Sequence, residues 1–395
     1  MISFMGWRFS VLRSNRLTSQ STTDNGFLQR ALTLAEGGRG RVSPNPLVGA
    51  VVVRGGEIVG EGFHAELGAL HAERAALEDC RRRGEDPAGA TMFVTLEPCA
   101  HTGRQPPCVE ALLGAGISRV VIGSDDPSGK AAGRGPGILR DGGVEVEFAC
   151  GAEATAARRL NQPFRKHART GLPLVILKMA MSLDGQTKTH PDDSPWISGP
   201  ESRDLVHRWR SECDAIAVGI GTALADDPLL TARICGARQP KRVVFDSQAR
   251  LPLDSQLLKT LDQSPVLVIT APAAPNERVA ALRDAGAELI VAADIESALR
   301  DLGKREVTSL FLEGGRTLAS SFLASDLIDE CRTFIAPMLL GVDESGRRAG
   351  PVSDRGLSLP GESSRSSPPA RVTAVETTTD RIGDDTLIMA KLKEW

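Results

Sequence analysis

The sequence predicts an α/β protein made of two layered units in series, and three observations carry that expectation. Residues 24–150 read as a helix, a hairpin and then alternating helix and strand, a pattern that packs as a mixed α/β layer. Residues 172–395 read as short, continuously apolar strands alternating with helices, which indicates a largely parallel sheet covered on both faces. Between them, residues 151–171 hold one short helix, Pro163 and the basic run Arg165-Lys166-His167-Ala168-Arg169, which reads as a solvated linker.

Composition narrows the class. The 395 residues are 41% hydrophobic and 25% charged, with a net charge of −3, so the chain has no general attraction for nucleic acid or anionic membranes. No apolar run approaches membrane-spanning length. Seven cysteines, an odd number without a disulfide framework, point to a reducing compartment. Residues 1–23 carry Arg8, Arg13 and Arg16, several serines and threonines and no acid, a composition that suits an organelle transit peptide. A disordered tail or an upstream start is the preferred reading of that extension, which makes the protein cytoplasmic. A homo-oligomer is expected.

In the first unit, Asp24 caps a helix through about Glu36, ended by Gly37-Gly38. Ser43-Pro-Asn45-Pro46 forms a rigid turn, and Gly55-Gly56 joins strands 47–53 and 57–60 in a hairpin. Residues 67–83 read as a helix with His71 and Glu73 near its start. Residues 91–96 read as a buried strand that delivers Pro98-Cys99, and Pro106-Pro107 opens a helix with Cys108 in its first turn. A helix N-terminus favours the thiolate form of such a cysteine. Strands at 119–123 and 143–148 complete the sheet.

His71, Cys99 and Cys108 supply three zinc ligands, and Glu73 supplies a nearby proton carrier that need not bind metal. His-x-Glu followed by Pro-Cys and a second cysteine is the signature of zinc nucleobase deaminases. Here the cysteines are eight residues apart rather than two, and the insertion carries His101 and Arg104.

The second unit gives strands at 174–180, 215–218, 242–246, 266–270, 288–292 and 309–312, with helices at 200–212, 276–285, 295–302 and 318–326. Ser198-Gly-Pro-Glu201 reads as a capping box. Residues 371–392 add final antiparallel strands, preceded by a mobile loop at 363–369. No Gly-x-Gly-x-x-Gly fingerprint follows a strand. Instead, Glu313-Gly314-Gly315-Arg316-Thr317 joins a strand to a helix, where backbone N–H groups and the helix N-terminus suit a phosphate. The stretches 181–185 and 223–228 also follow strands, where open sheets place their sites.

From about Asp24 to the end, the chain resembles the bifunctional riboflavin-biosynthesis deaminase/reductases. In the first unit the resemblance rests on Pro44-Asn-Pro-Leu-Val-Gly49, Gly62-Phe-His64, His71-Ala-Glu73 and Thr95-Leu-Glu-Pro-Cys99 with Cys108. In the second it rests on Lys178-x-Ala180-x-Ser-Leu-Asp-Gly185, Trp196-Ile, Asp226-Asp-Pro-x-Leu230-Thr-x-Arg233 and Glu313-Gly-Gly315. The resemblance implies a cytidine-deaminase-like α/β/α zinc domain followed by a dihydrofolate-reductase-like α/β domain. It implies a cofactor pair of one zinc ion per chain and NADPH. The implied substrate is 2,5-diamino-6-ribosylamino-4(3H)-pyrimidinone 5′-phosphate, deaminated first and then reduced from ribosyl to ribityl.

Carried over by position, Asn45, His64, His101 and Arg104 line the deaminase pocket. Ala180, Trp196, Thr222, Asp226, Ser247, Gly315, Arg316, Thr317, Leu318, Ala319, Ser320 and Ser321 line the NADPH site. Ser194, Arg210, Leu230, Arg233 and Glu313 hold the reductase substrate, the two arginines facing its phosphate. This sequence departs from the family at Gln105, usually threonine, and at Ser128-Gly129, usually Asn-Pro. Lys178 and Asp226 are both candidates for the reductase proton donor. Two other readings stand beside this one. A tRNA adenosine deaminase would show a basic face and a two-residue cysteine spacing. A deaminase fused to a degenerate, non-catalytic second domain would lack hydride transfer.

Overall fold

The computed structural model describes residues 24–102, 105–129, 132–187, 196–341 and 372–395. The expected extension at 1–23 and the loop at 363–369 lie outside them, as do Arg104 and Ser194.

The first domain runs α1 (Asp24–Ala35), β1 (Gly49–Arg54), β2 (Glu57–Phe63), α2 (Ala72–Arg83), β3 (Thr91–Val94), α3 (Cys108–Gly114), β4 (Arg119–Ile122), α4 (Arg134–Asp141) and β5 (Glu145–Phe148). Its sheet has the order β2-β1-β3-β4-β5, with β1 antiparallel to β2 and β3 and the remaining pairs parallel. Alternation along β1 divides the core between two faces. Ala50 and Val52 join the cluster under α2, α3 and α4, whereas Val51 and Val53 pack on Phe27, Leu28 and Ala31 of α1. Helix α2 lies close on β2 because Gly62 has no Cβ; one added there would stand 2.4 Å from the Ala76 nitrogen. That contact sets the height of the helix start over the sheet, and the helix start carries the metal-site chemistry.

Helix α2 begins at Ala72, later than the 67–83 span expected. Residues 66–69 form a turn, and His71 occupies the N-cap position with extended backbone. Glu73 therefore lies in the first turn, and the Gly84 C-cap sits in the left-handed region as helix ends commonly do.

The expected solvated linker is instead two helices, α5 (Gly151–Leu160) and α6 (Gln162–Thr170), and the basic face of α6 is buried. Arg165 is 1% exposed and Lys166 2%. Lys166 forms an ion pair with Asp329 of the second domain. Arg165 donates through Nε to the Trp395 carbonyl (2.8 Å), through Nη1 to the Asp125 carbonyl (2.8 Å) and through Nη2 to the Asp125 carboxylate (3.0 Å). The charge run is a docking surface between domains, and composition could not separate that from a wet face.

The second domain continues with β6 (Leu174–Ser182), α7 (Pro200–Glu212), β7 (Ala215–Gly219), α8 (Ile220–Asp226), β8 (Lys241–Phe245), α9 (Gln256–Lys259), β9 (Val266–Thr270), α10 (Asn276–Asp284), β10 (Glu288–Val291), α11 (Ile295–Lys304), β11 (Ser309–Leu312), α12 (Arg316–Ala324), β12 (Glu330–Ala336), β13 (Glu376–Ile382) and β14 (Asp385–Lys391). The strand order is β10-β9-β8-β7-β11-β6-β12-β14-β13. All pairs from β10 to β12 are parallel, and the final two pairs are antiparallel, as expected for the last strands. The parallel strands are buried on both faces: Val175 and Leu177 pack in one cluster, Leu174 and Ile176 in the other.

The expected capping box before α7 does not form. Gly199 is the N-cap and Pro200 stands at the helix start. The buried Asp385 carboxylate of β14 accepts instead from Gly199 N (2.8 Å) and Ser202 Oγ (2.6 Å).

Candidate active site

Three elements bring the metal-site residues together. His71 is held at the N-cap of α2, Cys99 follows β3, and Cys108 opens α3. The two sulfurs lie 3.5 Å (Cys99) and 3.4 Å (Cys108) from His71 Nδ1, and the three ligand atoms all fall within 4.8 Å of one another. A tetrahedral zinc ion with bonds of about 2.0–2.3 Å needs ligand atoms about 3.3–3.8 Å apart, so the donors and their spacing fit that ion. The Cys108 N–H donates to Cys99 Sγ at 3.4 Å. Cys99 is pulled far below the ordinary thiol range by its hydrogen bonds with Cys108 and His71, and Cys108 is correspondingly raised. His71 is raised by its bond to the Cys99 sulfur, and metal binding there would have to displace a proton.

Glu73 is 4% exposed and lines the same cavity of about 360 Å³. Burial, reinforced by the Cys99 thiolate, pushes its carboxyl up to about 6. A carboxyl poised there can take and return a proton near neutral pH.

Asn45, His64 and His101 also line the cavity. The His64 Nδ1–H donates to the Leu70 carbonyl (3.0 Å), because a carbonyl can only accept. Nε2 must then accept from Asn45 Nδ2 (3.1 Å), which fixes the Asn45 amide. Burial lowers the His64 pKa, consistent with this neutral tautomer.

Among the lining residues to which sequence reasoning gave no role are Glu97, Asp126, Phe164 and Glu306. Glu97 is 5% exposed, and its Oε1 has no hydrogen-bond partner in the protein. Ser128, where this sequence departs from the family, lines the cavity, and its N–H donates to Asp126 Oδ1 at 2.8 Å.

In the second domain the expected residues collect at the C-terminal ends of β6, β7, β8 and β11. Arg210 of α7 makes a forked pair with Glu313, Nε to Oε1 at 2.6 Å and Nη2 to Oε2 at 3.0 Å. Its Nη1 donates to the Thr231 carbonyl at 3.1 Å. Arg210 is thus engaged by protein acceptors rather than turned with Arg233 toward a common anion. Lys178 lies partly buried beside this pair, its pKa lowered by desolvation against the pull of Glu313.

Leu230 takes a left-handed φ of 53° in the loop that leads to the exposed Arg233. Gly315 is the N-cap of α12, and a Cβ there would stand 3.4 Å from Thr222 Oγ1. Ser247 and Leu318 share a small cleft with Asp246 and Thr270. In that cleft Asp246 Oδ1 and Thr270 Oγ1 are buried polar atoms without protein partners. Orphaned polar atoms at a strand-end cleft fit an additional polar ligand. Ala180 lies in β6 and Asp226 closes α8. Trp196 is largely exposed, with the Arg203 guanidinium 5.2 Å from its ring centroid.

Residues 21–124 match the model of the cytidine and deoxycytidylate deaminase zinc-binding region, and residues 173–368 match the RibD C-terminal domain. The riboflavin biosynthesis protein RibD of Actinobacillus pleuropneumoniae is 42% identical over 328 residues, covering 82% of this chain and 86% of that one. The Escherichia coli protein of the same name is 39% identical over 345 residues, covering 82% and 90%. Among solved structures, Acinetobacter baumannii RibD superimposes with a TM-score of 0.79 at 34% identity, covering 94% of this chain and 99% of its own. A Thermotoga maritima diaminohydroxyphosphoribosylaminopyrimidine deaminase/5-amino-6-(5-phosphoribosylamino)uracil reductase gives 0.78 at 35% identity, covering 93% and 98%. The zinc-type first domain, the RibD-type second domain and identity sustained across both place this chain in the RibD family of bifunctional riboflavin-biosynthesis deaminase/reductases.

Proposed function

We propose that the first domain deaminates 2,5-diamino-6-ribosylamino-4(3H)-pyrimidinone 5′-phosphate and that the second reduces the ribosyl chain of the product with NADPH. The observation that carries the first step is the convergence of His71, Cys99 and Cys108 at tetrahedral spacing with Glu73 buried beside them. One zinc ion held by those three residues would acidify a water and so supply the nucleophile for the ring carbon that bears the amino group. Glu73 accepts the proton of that water and delivers it to the departing amino group, so the ring exchanges NH2 for O and releases ammonia. Asn45, held by His64, would orient the pyrimidine, with His101 of the cavity wall, and Arg104 by position in the family, taking up the rest of the substrate.

In the second domain Ala180, Trp196, Thr222, Asp226, Ser247 and residues 315–321 would hold NADPH, which supplies the hydride. Ser194, Leu230, Arg233 and Glu313 would hold the substrate, with the phosphate falling to Arg233 since Arg210 already holds Glu313. Lys178, partly buried beside Glu313, is better placed than Asp226 to manage a proton at the sugar. Cytoplasmic placement rests on seven free thiols. Among the described residues no helix is long and apolar enough to cross a membrane.

The test is to supply the purified protein with zinc, the diaminopyrimidinone substrate and NADPH. Ammonia release followed by NADPH oxidation is expected. Arg250 ends the run Asp246-Ser-Gln-Ala-Arg250 after β8, where its guanidinium suits the NADPH 2′-phosphate, so Arg250→Ala should raise the NADPH concentration needed while leaving deamination alone. Equal use of NADH and NADPH would contradict the cofactor assignment. Ammonia release without NADPH oxidation would favour the degenerate second domain.

A further inference from the structure

The deaminase cavity is not walled by the first domain alone. Phe164 of α6 and Glu306, from the turn between α11 and β11, complete its lining. Glu306 reaches it because the turn is fixed at both ends against the rest of the chain. At one end the His167 Nε2–H donates to the Gly303 carbonyl at 3.0 Å. The backbones approach so closely there that a Cβ on Gly303 would stand 1.9 Å from the Gly171 carbonyl oxygen. At the other end Thr308 donates to the buried Asp214 carboxylate (N 2.8 Å, Oγ1 2.7 Å), and its Oγ1 lies 3.3 Å from Ser43 Oγ. Ser43 immediately precedes Pro44 and Asn45 of the cavity wall.

Within this turn Glu306 adopts φ 61°, a left-handed conformation that glycine or asparagine takes more easily. A glutamate there is not explained by the turn. The cavity it faces is rich in acceptors, with Glu73, Glu97 and Asp126 already lining it, so a fitting ligand is rich in donors. The reacting ring must lie at the buried end beside Glu73, whereas Glu306 is exposed at the mouth. The part of a phosphoribosylated ring that reaches the mouth is the sugar. A carboxylate there accepts from hydroxyls and disfavours the phosphate.

We propose that Glu306, a residue of the reductase domain, binds the substrate's ribose hydroxyls during the deaminase step. This rests on the deaminase reading above. The test uses the full-length protein with zinc and four variants: Glu306→Gly, Glu306→Asp, Glu306→Gln and Glu73→Gln. Glycine relieves the backbone and removes the carboxylate, so Glu306→Gly should melt at the same or a higher temperature. It should nonetheless raise the deaminase KM about tenfold with kcat within about twofold. Glu306→Asp and Glu306→Gln, which keep an acceptor oxygen, should recover part of that loss. Zinc content and the reductase parameters should stay at wild-type values. An unchanged deaminase KM in Glu306→Gly would overturn the proposal, and so would parallel loss of both activities. Failure of the deaminase reading would look different: the wild type itself would release no ammonia, and Glu73→Gln would change nothing.

Discussion

Glu73 and Glu97 are equally buried glutamates in one cavity, but their neighbours separate them. Glu73 stands beside Cys99, Cys108 and His71 at the start of α2, whereas Glu97 lies on the loop side with one oxygen unpartnered. Glu73→Gln removes a proton carrier and keeps the three ligands, so it should retain zinc by elemental analysis while kcat for ammonia release falls about 10²–10⁴-fold. Cys108→Ala removes a ligand and should lose both zinc and activity; full zinc retention would contradict the ligand set. The sign of the pH dependence follows from the need for an ionised Glu73. Burial holds its carboxyl near 6, and a neighbouring cation would draw it lower. Deaminase kcat/KM should therefore fall on the acid side with an apparent pKa at or below about 6. An acid limb centred above pH 7 would exclude Glu73 as the base. The convergence of His71, Cys99, Cys108 and Glu73 was legible in the sequence because motif and element travel together there: the residues sit at a helix start, after a strand and at a proline-opened helix. Glu306 was not, because Arg305-Glu306 reads as an ordinary surface pair and only the docking of Gly303 on Gly171 brings it to the cavity.

Most element positions in the second domain follow from apolar runs bounded by turn residues, and β9, β11 and α7 fall where the sequence places them. The misses have physical causes. Strand β12 was not anticipated, since Glu330, Cys331, Arg332 and Thr333 are only partly buried and the segment shows no apolar run. Helix α4 carries two glycines and a proline in Arg134-Gly-Pro-Gly-Ile-Leu-Arg-Asp141, so tertiary packing of Pro136 and Leu139 overrides propensity. The start of α7 shows how a distant residue replaces a local signal. The Ser198–Glu201 pattern suggests a self-contained cap, but the acceptor comes from Asp385, far along the chain in β14. Asp385→Ala should lower the stability of the second domain by about 2 kcal/mol, read as a lower denaturation midpoint with an unchanged slope. Glu201→Ala should have a much smaller effect, and the reverse order would restore the capping box.

At the scale of the whole molecule, the two domains are held by a buried polar junction rather than a wet linker. Asp329 receives the Lys166 ammonium, the Val175 N–H at 2.7 Å and the Trp395 Nε1–H at 2.9 Å. Lys166→Ala would leave the Asp329 charge buried without its cation, and such a loss costs about 3–5 kcal/mol. Both activities should therefore fall together on mild heating in that variant, which calorimetry can follow. On the proposed assignments the reacting groups of each site lie in one domain, His71, Cys99, Cys108 and Glu73 in the first and Glu313 and Lys178 in the second, and Glu306 crosses over only to bind substrate. Glu313→Ala should abolish reduction and leave deamination nearly intact. The most direct test assays ammonia release and NADPH oxidation separately, each with its own purified substrate, in Glu73→Gln and Glu313→Ala. The account predicts that each variant loses one activity and keeps the other near the wild-type rate. Loss of reduction of the deaminated intermediate in folded, zinc-loaded Glu73→Gln would contradict it.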